Sequence, residues 1–408
     1  MRSRMVRRVA AKEILSTLRD TRAIVSNLLI PLILLPVFML GLPFLLGGLF
    51  QREATTVTAL GVAGLEHAPE ELVAFIEAQA ATLEPVDDPE ASVRDDSYPA
   101  AITIPEGLAE MLAADEPATL IVHRKTGNIR SELNAGKLES AASAYRQQVV
   151  AERLRQAGMD PAVLEPVRIE TRDASTEAER SSGQLAWLIP FFIAIWTLTG
   201  GQMAAIDATA GEKERGTLEV LLVAPVRRAE VVVGKFLATT LFGLWAAVMA
   251  ILGFLVGGLV LRGAFLPGLD AGAAEMVSVM GGQLTVTPVM VLLLVVSAVL
   301  MAGVIAALLI GIALFARSFK EAQSYVAPLS FLLILPAISL QFRDLMGGGE
   351  ALYWVPLLNA MVLMDDVVKG AATASGVLIT WLSLSLMIAV LLAFAYRNFN
   401  REDVLFRT

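Results

Sequence analysis

Four consecutive charges, Glu212, Lys213, Glu214 and Arg215, interrupt a chain that is 56% hydrophobic. They stand between two long uncharged runs, Ser181–Ile206 and Phe236–Leu261. The chemistry open to such a run is ion pairing rather than bond making. Cysteine is absent and the only histidines, His67 and His123, are far apart in sequence, which leaves no thiolate or histidine-rich metal site. A phosphate-cradling loop is missing as well. The two Gly-Lys pairs, Gly136-Lys137 and Gly234-Lys235, are followed by Leu138 and Phe236 rather than by the hydroxyl that would hold magnesium. Directly after the charges come Gly216, Thr217 and the apolar Leu218, Leu221 and Leu222. The spacing i, i+3, i+4 marks one face of a short helix, which Pro225 ends. Glu212–Arg215 and Glu219 are expected to fix its register through polar contacts, and Gly216 to permit close approach. A short helix held just outside a bilayer can receive a push and pass it on.

The elements that must position this loop are membrane spans. Uncharged runs long enough to cross about 30 Å of hydrocarbon, roughly 20 residues each, occur six times: Ala23–Gln51, Ser181–Ile206, Phe236–Leu261, about Val289–Ala316, Ala322–Phe342 and about Ser375–Tyr396. A charge at mid-bilayer costs about 3 kcal/mol, so six such runs define a polytopic helical membrane protein. The first run is too long for a cleaved signal peptide and reads as a retained span. The polar residues within the runs, Gln202 among them, are not ionisable, which disfavours a proton- or ion-coupled carrier. Gln202, beside Gly200-Gly201, is the candidate pathway residue. Helix–helix hydrogen bonding is its alternative role.

Basic residues set the expected orientation. The N-terminal arm, the loop at 207–235, the short connection holding Arg317 and Lys320, and the tail together carry 17 of the 32 Lys and Arg residues. All four segments fall on one side of a six-span chain, so both termini and the charged loop are expected in the cytoplasm. The segment 51–183 holds 24 acidic against 12 basic residues. Long domains translocate regardless of charge, so this acidic region is assigned to the outside. The net charge of −8 gives no support to nucleic-acid binding. The expected divisions are an amphipathic cytoplasmic helix (1–22), span one (23–50), an extracytoplasmic α/β domain (51–183), span two (184–206), the charged loop (207–235), spans three to five (236–342), an external loop (343–374), span six (375–396) and a tail (397–408).

Within 51–183, Val57–Val62, Ala100–Ile104, Ala118–His123 and Val167–Arg172 read as strands. Pro69–Ala80, Glu106–Ala114 and Ser131–Ala157 read as helices. In the arm, Val6, Val9, Ala10, Ile14 and Leu18 share a helical face opposite Arg8, Lys12 and Arg19, the pattern of an interfacial helix.

The stretch Gly211–Pro225, continued through Arg227-Arg228 to Gly234-Lys235, closely resembles the signature of the ABC-2 family of ABC-transporter permeases. A charged pair, Glu-Arg-Gly-Thr-Leu-Glu, two leucines, a proline, basic residues and Gly-Lys follow in the family's order. Tyr98–Gly107 is also similar to a stretch in the external domains of ABC-2 exporters. The resemblance implies an elbow helix before span one and short re-entrant helices around Leu352–Asn359. It implies that Glu212, Lys213, Glu214, Arg215, Gly216, Thr217, Leu218, Glu219, Leu221, Leu222 and Pro225 couple to a separate ATPase subunit. ATP and magnesium would be bound by that subunit and none by this chain, which would not itself be an enzyme. Two ATPase copies, a second permease copy and the lipid bilayer are the implied partners, in the plasma membrane of a bacterial cell. A large domain between spans one and two is similar to the sodium-extruding branch, a layout that drug and lipid exporters share. A membrane sensor or scaffold with an external ligand-binding domain, or a secondary transporter, are the alternatives.

Overall fold

The computed structural model describes residues 2–25, 29–38, 52–53, 55–114, 116–160, 163, 174–183, 186–260, 287–346 and 349–401. The chain divides into two compact units, one of residues 1–44 with 175–408 and one of residues 45–174. The first unit opens with α1 (Ser3–Leu18), which buries Val6, Val9, Ala10, Glu13 and Thr17. Residues 30–38 are helical and belong to the expected first span. Most of the remainder of that span lies outside the described residues.

The second unit is a small α/β fold. It runs β1 (Thr58–Ala63), α2 (Glu70–Glu77), β2 (Ala81–Pro85), α3 (Pro89–Arg94), β3 (Ala101–Thr103), α4 (Leu108–Ala113), β4 (Ile121–His123) and α5 (Ile129–Gln156). The strand order is β2-β1-β3-β4. β1 pairs parallel with β2 and β3, and β4 closes the edge antiparallel to β3. Leu60, Val62 and Ile102 meet Leu72, Ile76 and Leu138 in its core. Asn128 starts α5 by accepting a hydrogen bond from the Ser131 amide. The expected strands up to His123 and the three expected helices appear with shifted ends, β1 ending one residue later and α5 beginning two residues earlier than expected. β2 and α3 were not foreseen, and Val167–Arg172 lies outside the described residues.

The first unit resumes with α6 (Glu177–Ser182), whose Thr176 and Glu179 form a reciprocal capping box. The division of the two compact units falls at 174, just before this helix. There follow α7 (Leu188–Ile206), α8 (Thr217–Val223), α9 (Arg228–Val260), α10 (Pro288–Ala313), α11 (Phe319–Ser339), α12 (Leu358–Val368) and α13 (Ala374–Phe399). Five helices among the described residues are long and apolar enough to cross a membrane: Leu188–Glu214, Arg228–Val260, Pro288–Ala313, Phe319–Phe342 and Ala374–Phe399. Their starts are written in the sequence. Thr287 caps α10 ahead of Pro288, Ser318 caps α11 and Thr373 caps α13.

Two helices exceed the expected spans. The second span runs on from α7 through a π-type segment, Asp207–Gly211, to Glu214. α9 begins at Arg228, ahead of the uncharged run at Phe236. The charged loop thereby shrinks to the segment around α8, and ionisable side chains lie inside helices expected to hold none.

α1 lies against α9, and Gly234 is where they meet most closely. A Cβ at Gly234 would stand 2.6 Å from Val9 Cγ1 and 3.2 Å from the Val6 carbonyl oxygen. Gly234→Ala should therefore push α1 outward and cost about 1–3 kcal/mol through overpacking. A lowered midpoint of thermal unfolding in detergent would show this.

Candidate functional site

Each charge of the 212–215 run reaches a different part of the chain's own framework. Glu212 turns inward and is 2% exposed. Its Oε2 accepts a hydrogen bond from Lys235 Nζ of α9 at 2.5 Å, and its Oε1 accepts one from Lys12 of α1. Lys235 Nζ also donates to Glu13 Oε1 at 2.7 Å and to the Ala208 carbonyl at 2.6 Å. Two ammonium groups and two carboxylates thus balance in one node joining α1, the end of the second span and α9, with Glu13, Glu212 and Lys235 buried and Lys12 at its exposed edge. Burial opposes the charge of Lys12. The neighbouring Glu212 and Glu13 carboxylates outweigh that effect and hold its pKa above the usual value.

Two of the other three charges close helix ends. Lys213 Nζ donates to the carbonyls of Leu314 at 2.5 Å and Ala316 at 3.3 Å, just past α10, where a cation is favoured. Glu214 accepts from the Phe319 amide at 2.8 Å, at the first turn of α11, where an anion is favoured. Arg215 folds back onto Asp207 at 2.9 Å. Thr217 Oγ1 donates to the Glu212 carbonyl at 3.3 Å.

Gly216 adopts φ +68°, the left-handed turn that lets α8 start directly after the charges. From there Leu218 is buried and Leu221 half-buried, both packed on the core of the spans. The side chains of Glu219 and Leu222, on the same helix, lie outside the described residues. Pro225 is exposed just beyond the helix. The apolar residues that face outward are Val220, 71% exposed, and Val223, 85% exposed. Gln202 is half-buried on α7, and no hydrogen bond joins it to the charged run among the described residues.

Glu13 and Asp207 were not singled out from the sequence, and Lys12 and Lys235 were read as the arm's polar face and the end of the signature rather than as partners of Glu212. One signal was available: Glu13 sits on the same stripe as Val6, Val9, Ala10 and Thr17, an acid on a buried face.

A second buried ionic group was also missed, in the segment 343–374. The helix α12 is buried from Asn359 to Val368 and packs among α7, α10, α11 and α13. Arg343 grips Asp366 with both terminal nitrogens, one at 3.1 Å, and Tyr353 donates its hydroxyl to the same carboxylate. Lys369 donates to Asp365 at 2.8 Å, but Asp365 Oδ1 is buried with no partner among the described residues. Burial therefore raises the Asp365 pKa, with Lys369 opposing. Burial, together with the bond to Asp366, pushes the Tyr353 hydroxyl up to about 12, so it remains a donor.

The chain matches the family described as ABC-2 family transporter protein over residues 7–404, and it belongs to that family. It is 27% identical over 398 residues to the ABC transporter permease protein NatB of Bacillus subtilis, covering 98% of each chain. The protein is thus a multi-pass membrane subunit of an ABC transporter, and the family implies an ABC ATPase as its partner.

Four substitutions test these charges. Lys235→Met leaves two buried carboxylates with Lys12 alone and should cost about 3 kcal/mol, measured by thermal unfolding. Arg215→Gln, at an exposed pair, should cost under about 1 kcal/mol. In the second group, Asp366→Asn leaves Arg343 with the more distant Asp365, 3.7 Å away, and should also cost about 3 kcal/mol. Asp365→Asn should be mild and should remove a pH dependence. A raised folded pKa gives Asp365 a contribution that is full below the ordinary carboxylate range and lost as pH rises through the folded value. The variant's midpoint, relative to the parent, should therefore improve from acid to neutral pH.

Proposed function

We propose that this chain is the permease subunit of an ATP-driven exporter, coupling hydrolysis in a separate ATPase to outward movement of its cargo. The observation that carries this reading is the outward pair Val220 and Val223 on a helix whose Leu218 and Leu221 pack on the core of the spans. Exposed apolar residues at one spot suit a protein partner, and a helix anchored this way transmits force instead of bending. Glu212 ties α8 to α1 and α9, Lys213 to the end of α10, and Glu214 to the start of α11. Displacing α8 would move all of them.

In this reading both termini and α8 are cytoplasmic, and residues 45–174 form the extracytoplasmic domain. Two copies of the chain work with two ATPase subunits, which bind ATP and magnesium. α12 lies toward the outer mouth as a re-entrant helix, held by Arg343, Tyr353 and Asp366. Sodium is the first cargo to test, because the large domain between spans one and two resembles the sodium-extruding branch. Drugs and lipids are the other arms of the screen.

The test is coexpression with a candidate ATPase, followed by copurification and cargo-stimulated hydrolysis. Val220→Asp with Val223→Asp should lower copurification at least about tenfold, because disrupting a desolvated interface anchor costs about 1 kcal/mol or more at each position. Membrane insertion should be unchanged. Glu214→Ala with Arg215→Ala should keep the ATPase bound but separate hydrolysis from transport. Undiminished copurification of the valine variant would contradict the docking role of α8.

A further inference from the structure

The arm helix α1 has two faces, and only one is used by the fold. Val6, Val9, Ala10, Glu13 and Thr17 are buried. On the opposite face Arg4, Arg7, Arg8 and Arg19 are exposed, and they flank Leu15 and Leu18, which are 55% and 38% exposed. The spacing i, i+3, i+4, i+11, i+14 and i+15 from Arg4 keeps these six residues on one side of a helix with 3.6 residues per turn. No ion pair to these arginines is formed among the described residues. Lys12 is different, since its amine is already engaged by Glu13 and Glu212. The sequence pattern assigns Val6, Val9 and Ala10 to the bilayer. The structure gives them to the protein and leaves a different, arginine-rich apolar face outside.

We infer that this outward face of α1 binds the phosphate headgroups of anionic phospholipids. Four guanidiniums match phosphate oxygens in charge and fork geometry. Two leucines between them can enter the acyl boundary just below the headgroups. Helical residues 30–38, further along the chain, also expose apolar side chains, including Ile33 at 58% and Val37 at 58%, as a lipid-facing segment would. A nucleic acid would satisfy the arginines but leave Leu15 and Leu18 in water. The inference rests on the reading of the chain as a membrane subunit with α1 at the bilayer surface, and it requires no ATPase. Lys12 borders this face and also bonds Glu212, so a headgroup bound here lies one side chain from the node that anchors α8.

The full chain contains no cysteine, and Ser16 is exposed at the edge of the patch. A Ser16→Cys variant labelled with an environment-sensitive fluorophore can be titrated in mixed micelles with phosphatidylglycerol or phosphatidylcholine. Phosphatidylglycerol should bind more tightly, with the preference reduced about fivefold for each arginine changed to glutamine at 4, 7, 8 and 19. Inorganic phosphate alone should not compete. Equal affinity for the two lipids would overturn the inference, as would a preference that survives the quadruple variant. Saturation by inorganic phosphate would replace the lipid with a free anion and overturn it too. A quadruple variant that keeps its lipid preference but loses copurification with the ATPase would assign the face to protein contact. Because the titration uses the chain without an ATPase, its failure would leave the exporter reading untouched.

Discussion

The enclosure of the Lys235 ammonium is the interaction on which the base of this molecule depends. Taking an ammonium out of water costs several kcal/mol, and a single partner rarely offsets that loss. Here two carboxylates and a carbonyl surround it, supplied by α1, by the end of the second span and by the π-type segment before Glu212. No member can leave alone without stranding a buried charge. The arm, the second span and α9 are therefore bound to move together, and α8, which follows Glu212 by a short turn, moves with them.

That constraint gives the charged run a purpose beyond contact with a partner. If the charges faced outward they could fix how α8 docks, but a push on α8 would be absorbed by a slack connection. Turned onto the chain itself, Glu212 from a buried position and Glu214 from an exposed one, the three charges Glu212, Lys213 and Glu214 seize the node, the end of α10 and the start of α11 in consecutive residues. Lys213 and Glu214 also complement the partial charges of the helix ends they meet. Val220 and Val223, with no charge at all, stay exposed on α8, and the proposed contact with an ATPase falls on them. The arrangement separates gripping from receiving, which suits a subunit that is driven by another protein. At α12 the same economy of charge holds: Arg343 and Tyr353 fix Asp366, while Asp365 is left with one carboxylate oxygen unmet.

The parts of the fold that were legible in the sequence were those governed by hydropathy over about 20 residues. The helices α7, α10, α11 and α13 follow their uncharged runs closely, and the strands β1 and β3 follow their apolar alternation. What escaped was charge satisfied by distant charge. Lys235 marks the end of a polar loop if its neighbours are water, but it lies well inside α9 because Glu13 and Glu212 meet it. Glu13 is remote from both in sequence, and pairing across that separation leaves no periodic trace. α12 was hidden for a related reason: it is too short to span, and Asp365-Asp366 looks like loop chemistry until Arg343 and Lys369 are brought alongside. Leu218 could be placed on an apolar face from its spacing. Whether that face met a partner or the spans required the position of Gly216, whose left-handed turn aims Leu218 at the core.

The central claim is that Glu13, Lys235 and Glu212 act as one unit, and a double-mutant cycle measures this directly. The unfolding free energies of the parent chain, Glu13→Gln, Lys235→Met and the double variant would be compared in detergent. A shared node predicts a double variant that loses less than the sum of the single losses, by more than about 1 kcal/mol. Losses that add within about 0.3 kcal/mol would show that the two residues act independently, and would contradict the account.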